Sequence, residues 1–156
     1  MKEIFIRKKN YIILIILLIL GIGGITCFKI INISGISMEP TLSNCEKVIM
    51  RKKIFNEKCS RYDIVFIKDP YNSNEMVVKR IIGLPGERIY CENGKIYIND
   101  EVLQDDLKID NKTENFGPIK LENSQYYVLG DNREHSTDSR VFGVIFENAI
   151  MGFYIG

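Results

Sequence analysis

A serine hydroxyl is a poor nucleophile until a neighbouring base takes its proton. Three blocks of this 156-residue chain hold residues suited to that exchange. The first is Gly35-Ile36-Ser37-Met38-Glu39-Pro40-Thr41-Leu42, where Pro40 restrains the backbone and Gly35 permits close approach of the chain. The second is Val77-Val78-Lys79-Arg80-Ile81-Ile82-Gly83-Leu84-Pro85-Gly86-Glu87. With a strand period of two, Val77, Lys79 and Ile81 share a face, and apolar surroundings disfavour an ammonium ion there. A lysine depressed towards neutrality can accept a serine proton; an exposed one cannot. The third block, Gly130-Asp131-Asn132-Arg133-Glu134-His135-Ser136-Thr137-Asp138-Ser139-Arg140, contains the single histidine. With Asp131 or Asp138 as its partner, His135 offers a second kind of base for Ser37. Each block also has a plain reading: an ordinary loop serine, an edge-strand lysine reaching water, and a charged turn.

The elements that must position these blocks come in two kinds. Tyr11 to Phe28 carries no charged residue and is rich in Ile and Leu, long enough to cross a hydrocarbon layer about 30 Å thick as a helix. Lys2, Arg7, Lys8 and Lys9 precede it, which predicts a cytoplasmic N-terminus by the positive-inside rule. We expect residues 1–10 to be cytoplasmic, 11–31 to form a retained transmembrane anchor, and 32–156 to form an extracytoplasmic domain. The run lacks an Ala-x-Ala-like cleavage site, and Gly24-Ile25-Thr26 is a poor lead-in to a lipoprotein cysteine at Cys27. Beyond the anchor the chain reads as β. Val48–Met50, Asp63–Ile67, Met76–Ile82, Lys95–Ile98 and Tyr126–Leu129 are short apolar runs separated by turn formers. Asn93-Gly94 closes a hairpin around Cys91–Ile96. Residues from about 100 to 123 are polar and weakly patterned, and read as an inserted excursion.

Charge is balanced, with 21 basic and 20 acidic residues, which gives no nucleic-acid footprint. Of four cysteines, Cys27 falls in the expected anchor. Cys45, Cys59 and Cys91 then permit at most one internal disulfide, and none has the paired spacing of a zinc site.

The three blocks, in this order behind a membrane-length run, resemble bacterial type I signal peptidase over nearly the whole chain. The carriers are Ser-Met-x-Pro-Thr-Leu, Lys-Arg-x-x-Gly-x-Pro-Gly-Glu and Gly-Asp-Asn-Arg-x-x-Ser-x-Asp-Ser-Arg. The resemblance implies a mainly β fold of coiled antiparallel sheets set against the membrane, in the compact form of Gram-positive members. It implies Ser37 as nucleophile and Lys79 as base, with His135 an exposed loop residue. It further implies that Ser136 bonds the lysine amine, that Asp138 and Arg140 pair, that Asp131 meets Arg80, and that Asn132 and Arg133 fix their loop. Gly130 and Gly143 are expected to meet backbone constraints. Gly35 stands where some relatives carry a serine, which leaves oxyanion stabilisation to backbone N–H groups, notably that of Ser37. Met38 is expected on a membrane- or substrate-facing surface. The implied partners are preproteins bearing signal peptides with small residues at −1 and −3, together with membrane lipid; no metal, cofactor or nucleic acid is implied. Two other classes fit parts of the sequence: a tethered β module that binds without catalysis, and a repressor-type serine/lysine autoprotease.

Overall fold

The computed structural model describes residues 27–72, 74–104 and 113–156. Eleven strands run through them: β1 (Phe28–Asn32), β2 (Lys47–Lys52), β3 (Ile64–Lys68), β4 (Met76–Gly83), β5 (Arg88–Glu92), β6 (Lys95–Ile98), β7 (Glu101–Val102), β8 (Phe116–Lys120), β9 (Gln125–Leu129), β10 (Ile145–Phe146) and β11 (Ile150–Tyr154). A one-turn helix, α1 (Ser139–Phe142), and two 3₁₀ turns at Arg133–His135 and Glu147–Ala149 complete the described elements. Strands β1-β2-β11-β3-β4-β9-β10 form one sheet, and β7-β6-β5-β8 a smaller one, each antiparallel throughout.

Alternation along the strands builds the core. On β3, Val65 and Ile67 join one cluster with Ile81, Val128 and Phe153, while Ile64 and Phe66 join another with Met38, Leu42 and Val48. β9 divides likewise: Tyr126 and Val128 face the first cluster, Tyr127 and Leu129 a third with Ile82, Ile89 and Leu121. Central strands are therefore apolar on both faces, which explains their continuous rather than alternating hydrophobic pattern. The β5–β6 hairpin closes at Asn93-Gly94 with both residues at positive φ (52° and 77°), the geometry a primed turn requires.

The structure departs from the sequence reading at the periphery. The helix expected over 11–31 overlaps β1, in which Phe28–Ile31 are strand residues paired with β2. Residues 11–26 lie outside those described, and among the described residues no helix is long and apolar enough to cross a membrane. The excursion expected at about 100–123 returns as β8, which pairs with β5 and completes the smaller sheet. Gly117-Pro118, joined by a cis peptide, disguise that strand. No disulfide joins the described cysteines; Cys59 and Cys91 are buried and Cys45 is exposed.

β11 slots between β2 and β3, and the close approach turns on Gly152. A Cβ there meets the Arg51 carbonyl and lies 2.9 Å from Met50 Cγ. Backbone cannot yield as a flexible side chain can, so Gly152→Ala is expected to cost about 1–3 kcal/mol. Urea unfolding measures this; an unchanged midpoint would contradict the packing of β11 on β2.

Candidate active site

Ser37 sits in a tight turn between β1 and β2. Glu39 N–H donates to Ile36 O (3.1 Å), and Leu42 N–H to Met38 O (2.9 Å). Apolar packing decides where the turn lies: Met38 and Leu42 are buried in the cluster that also holds Val48 and Phe66, with Val78 of β4 against it. At the near end of the turn, Gly35 adopts φ +95° and its N–H donates to Asn44 Oδ1 (3.0 Å). Non-glycine residues enter that region at a cost, so the backbone conformation requires glycine here.

Lys79 comes from β4, opposite Val65 of β3. Val77, Val65 and Ile81 belong to or pack on the first core cluster, and the lysine is 3% exposed. Its Nζ lies 2.8 Å from Ser37 Oγ, in a hydrogen bond across 42 residues of sequence. Burial lowers the Lys79 pKa below its ordinary 10.5; the carboxylates of Asp138, Asp69 and Asp131 pull the other way, and Arg140 adds to the depression. The site therefore places a desolvated amine on a serine hydroxyl.

The segment after β9 braces both. Arg80, next to Lys79 on the opposite strand face, is held by Asp131 in a two-pronged pair (Nε–Oδ1 2.8 Å, NH2–Oδ2 2.6 Å) and donates to Tyr62 O. Asp138 is fully buried and takes four hydrogen bonds. Arg140 Nε, NH2 and backbone N–H supply three, and Gly130 N–H the fourth (2.9 Å). Arg140 also donates to Arg133 O (2.7 Å), and Arg133 Nε to Gly130 O (3.0 Å). Gly130 is required sterically: a Cβ would collide with Ser136 Oγ and with the Ser37 carbonyl. Asn132 reaches the turn directly, its N–H donating to Ser37 O (3.0 Å) and its Nδ2 to Ile36 O (3.1 Å).

The family described as signal peptidase, peptidase S26, matches residues 6–155. The chain belongs to that family. It is accordingly a serine peptidase, a hydrolase of peptide bonds. Signal peptidase I of Bacillus amyloliquefaciens is 37% identical over 132 residues, covering 77% of this chain and 68% of the relative. Signal peptidase I P of Bacillus subtilis subsp. natto is 34% identical over 151 residues, covering 86% and 81%. The crystal structure of a signal peptidase I from Enterococcus faecalis V583 superimposes with a TM-score of 0.55 at 33% identity, covering 62% of this chain and 97% of that one.

The peptidase brings together Ser37, Lys79, Arg80, Asp131, Asp138 and Arg140, while His135 is exposed on its 3₁₀ turn. Three expectations are corrected. Ser136 makes no bond to Lys79: its Oγ is buried against Gly130 without a hydrogen-bond partner among the described residues, while the Lys79 amine meets Ser37 Oγ. Gly35 does not serve close approach, since a Cβ there meets nothing within 4 Å; its φ is what matters. Met38 faces neither membrane nor substrate but is 2% exposed in the core. Gly143 has φ +81° after α1, the backbone constraint expected of it. Sequence reading passed over Asn44, which carries no motif, and Thr113, whose hydroxyl accepts from Arg133 NH1 (2.6 Å). It also passed over Arg61, whose fork on Glu87 ties the loop before β3 to the end of the lysine block.

Two predictions follow from these geometries. A lysine whose folded-state pKa is depressed leaves the unfolded chain binding more protons between that value and 10.5. Stability relative to Lys79→Met should therefore rise with pH across that window and fall as pH drops towards the folded-state value; a pH-independent difference in urea unfolding would contradict the burial. Asp131→Asn strands Arg80 as a buried charge, at an expected cost of about 3–5 kcal/mol. The same unfolding measurement checks it, and a loss below about 1 kcal/mol would place the pair in solvent instead.

Proposed function

We propose that the protein removes signal peptides from exported preproteins by a Ser37/Lys79 mechanism. The single observation that carries this reading is the 2.8 Å contact between a buried lysine amine and a serine hydroxyl. With the amine neutral, the Ser37 O–H donates to Nζ, and the proton passes to Lys79 as Oγ attacks the scissile carbonyl. Ser37 N–H has no acceptor among the described hydrogen bonds and serves the developing oxyanion. Collapse of the tetrahedral intermediate transfers the proton from Lys79 to the leaving amine, and the acyl group stays on Ser37. Lys79, neutral again, then takes a proton from the water that hydrolyses the ester.

A substrate strand has a place to lie. β3 pairs with β4 along Met76–Arg80, but β9 pairs with it only from Arg80 onward. One edge of Met76–Lys79 therefore stays free next to the Ser37 turn, and an extended peptide can add to it through main-chain hydrogen bonds. Val78 and Ile33 belong to the apolar cluster beneath; the preference for small side chains at −1 and −3 is carried over from the family resemblance. A cavity of about 880 Å³ lined by Lys29, Lys53, Phe55, Phe146 and Met151, among others, includes neither Ser37 nor Lys79 in its wall.

The anchor reading completes the proposal. An apolar run at 11–26 leads directly into β1. With basic residues before it, the run sets the catalytic domain on the outer face of the membrane, near the emerging cleavage site.

The test is cleavage of a fluorogenic signal-peptide substrate containing Ala-x-Ala by the full chain in detergent, beside Ser37→Ala. Cutting after the second alanine is expected from the wild type, with a loss of about 10³-fold or more in the variant. Equal cutting by both would overturn the assignment of Ser37.

A further inference from the structure

Ser37 N–H belongs to the same peptide unit as Ile36 O. That unit is planar and trans, so its N–H and C=O point in opposite directions, and whatever fixes the carbonyl aims the N–H. Two donors hold Ile36 O: Glu39 N–H and Asn132 Nδ2, each at 3.1 Å. Glu39 lies in the same turn and moves with it. Asn132 does not; it is 96 residues away, in the segment following β9. The next unit is held by the same residue, since Asn132 N–H donates to Ser37 O at 3.0 Å. One side residue thus grips the peptide planes on both sides of the nucleophile.

Asn132 is itself well placed to act as a reference. Its neighbour Asp131 is fixed by the two-pronged pair with Arg80, and Arg133 ties back to Gly130 O. Arg80 and Lys79 are consecutive on β4, so the donor side of the site and the base side are registered to one strand. The carbonyl accepts only the Nδ2 side of the amide, which settles its orientation. Ser37 N–H, turned away from Ile36 O, is left without an acceptor among the described residues.

We propose that Asn132 is a positioning residue for oxyanion stabilisation: its side chain sets the plane of the Ile36–Ser37 peptide and so aims Ser37 N–H at the oxygen of the tetrahedral intermediate. This rests on the serine-peptidase mechanism above. The main-chain grip on Ser37 O survives side-chain substitution, so the fold of the turn is retained while the donor is released. Removing an oxyanion donor outright costs about 10²–10³ in kcat; misdirecting one that is still held by Glu39 N–H costs less, about 10- to 100-fold.

The experiment compares wild type, Asn132→Ala and Asn132→Asp in the full chain, the last placing a carboxylate oxygen against Ile36 O. Each is assayed for kcat and KM on the Ala-x-Ala substrate. Each is also assayed for inhibition by a peptide aldehyde ending in Ala-x-alaninal, which forms a tetrahedral adduct with Ser37, and by the matching peptide alcohol, which does not. The expected result is a fall of about 10- to 100-fold in kcat and an equal fall in aldehyde affinity, with KM and alcohol affinity unchanged. Asn132→Asp should be at least as impaired as Asn132→Ala. A wild-type kcat in both variants overturns the proposal. So does a parallel loss of aldehyde and alcohol binding, which would mark a general disturbance of the turn. Failure of the underlying mechanism looks different: wild type and Ser37→Ala would then cut alike.

Discussion

A lysine amine can take a proton from serine near neutral pH only while water is kept from it, because solvation is what stabilises the ammonium form. That requirement organises the domain. Lys79 lies on β4 of the seven-stranded sheet, opposite Val65 of β3 and flanked by Val77 and Ile81. Its amine hydrogen-bonds the Ser37 hydroxyl. The charged groups around it are already committed: Asp138 to Arg140 and a backbone amide, Asp131 to Arg80. A carboxylate with free lone pairs in that place would bind the ammonium ion and abolish the base. Pairing Asp131 and Asp138 with arginines lets the site be rigid without raising the lysine pKa to its solution value.

Those pairs also explain how a site assembled from three distant blocks stays in register. Buried ion pairs add little net stability over apolar packing, yet losing one partner is expensive, so they penalise every arrangement except the native one. Arg80 carries this constraint from β4 to the segment after β9, and that segment reaches the Ser37 turn through Asn132 and the bare Cα of Gly130. From the other side Met38 and Leu42 fasten the turn into the core beside Val78. Ser37 is therefore located by apolar packing beneath it and by hydrogen bonds beside it, both referred to the strand that bears Lys79.

Much of this was legible in the sequence where local chemistry dominates. The runs ending at Met50, Ile67, Ile82, Ile98 and Leu129 are β-branched and bounded by turn formers, and each lies in a strand. The Asn93-Gly94 turn needed no tertiary information. Lys79 on an apolar strand face announced its desolvation. Other features depend on what the chain meets only after folding. Phe28–Ile31 read as the end of an apolar helix, because hydropathy alone does not distinguish a membrane span from a strand that continues it. β8 and β11 contain Gly117-Pro118 and Gly152, residues that argue against strands until the close backbone approach is seen. Met38 reads as a surface residue beside Ser37, and only the seating of the turn on Phe66 and Val48 buries it. The expected bond from Ser136 to Lys79 is not made, since Ser136 Oγ packs against Gly130 without a hydrogen-bond partner among the described residues, and residue types do not reveal that placement. Asn44 is an ordinary turn residue in sequence, and Asn132 reads there as fixing only its own loop; its reach to Ile36 and Ser37 comes from contacts made across space.

What the mechanism most needs is a Lys79 amine that burial holds below its ordinary pKa. The most direct measurement is the titration of its Nζ by NMR in the full chain, with ¹³Cε- and ¹⁵Nζ-labelled lysine and Lys79→Met to assign the signal. The same sample gives the pH dependence of kcat/KM on an Ala-x-Ala substrate. The account predicts that Lys79 titrates below the ordinary 10.5, and that kcat/KM rises through the same pH as the amine deprotonates. Titration at or above 10.5, or a rate that rises where Lys79 does not titrate, would contradict it.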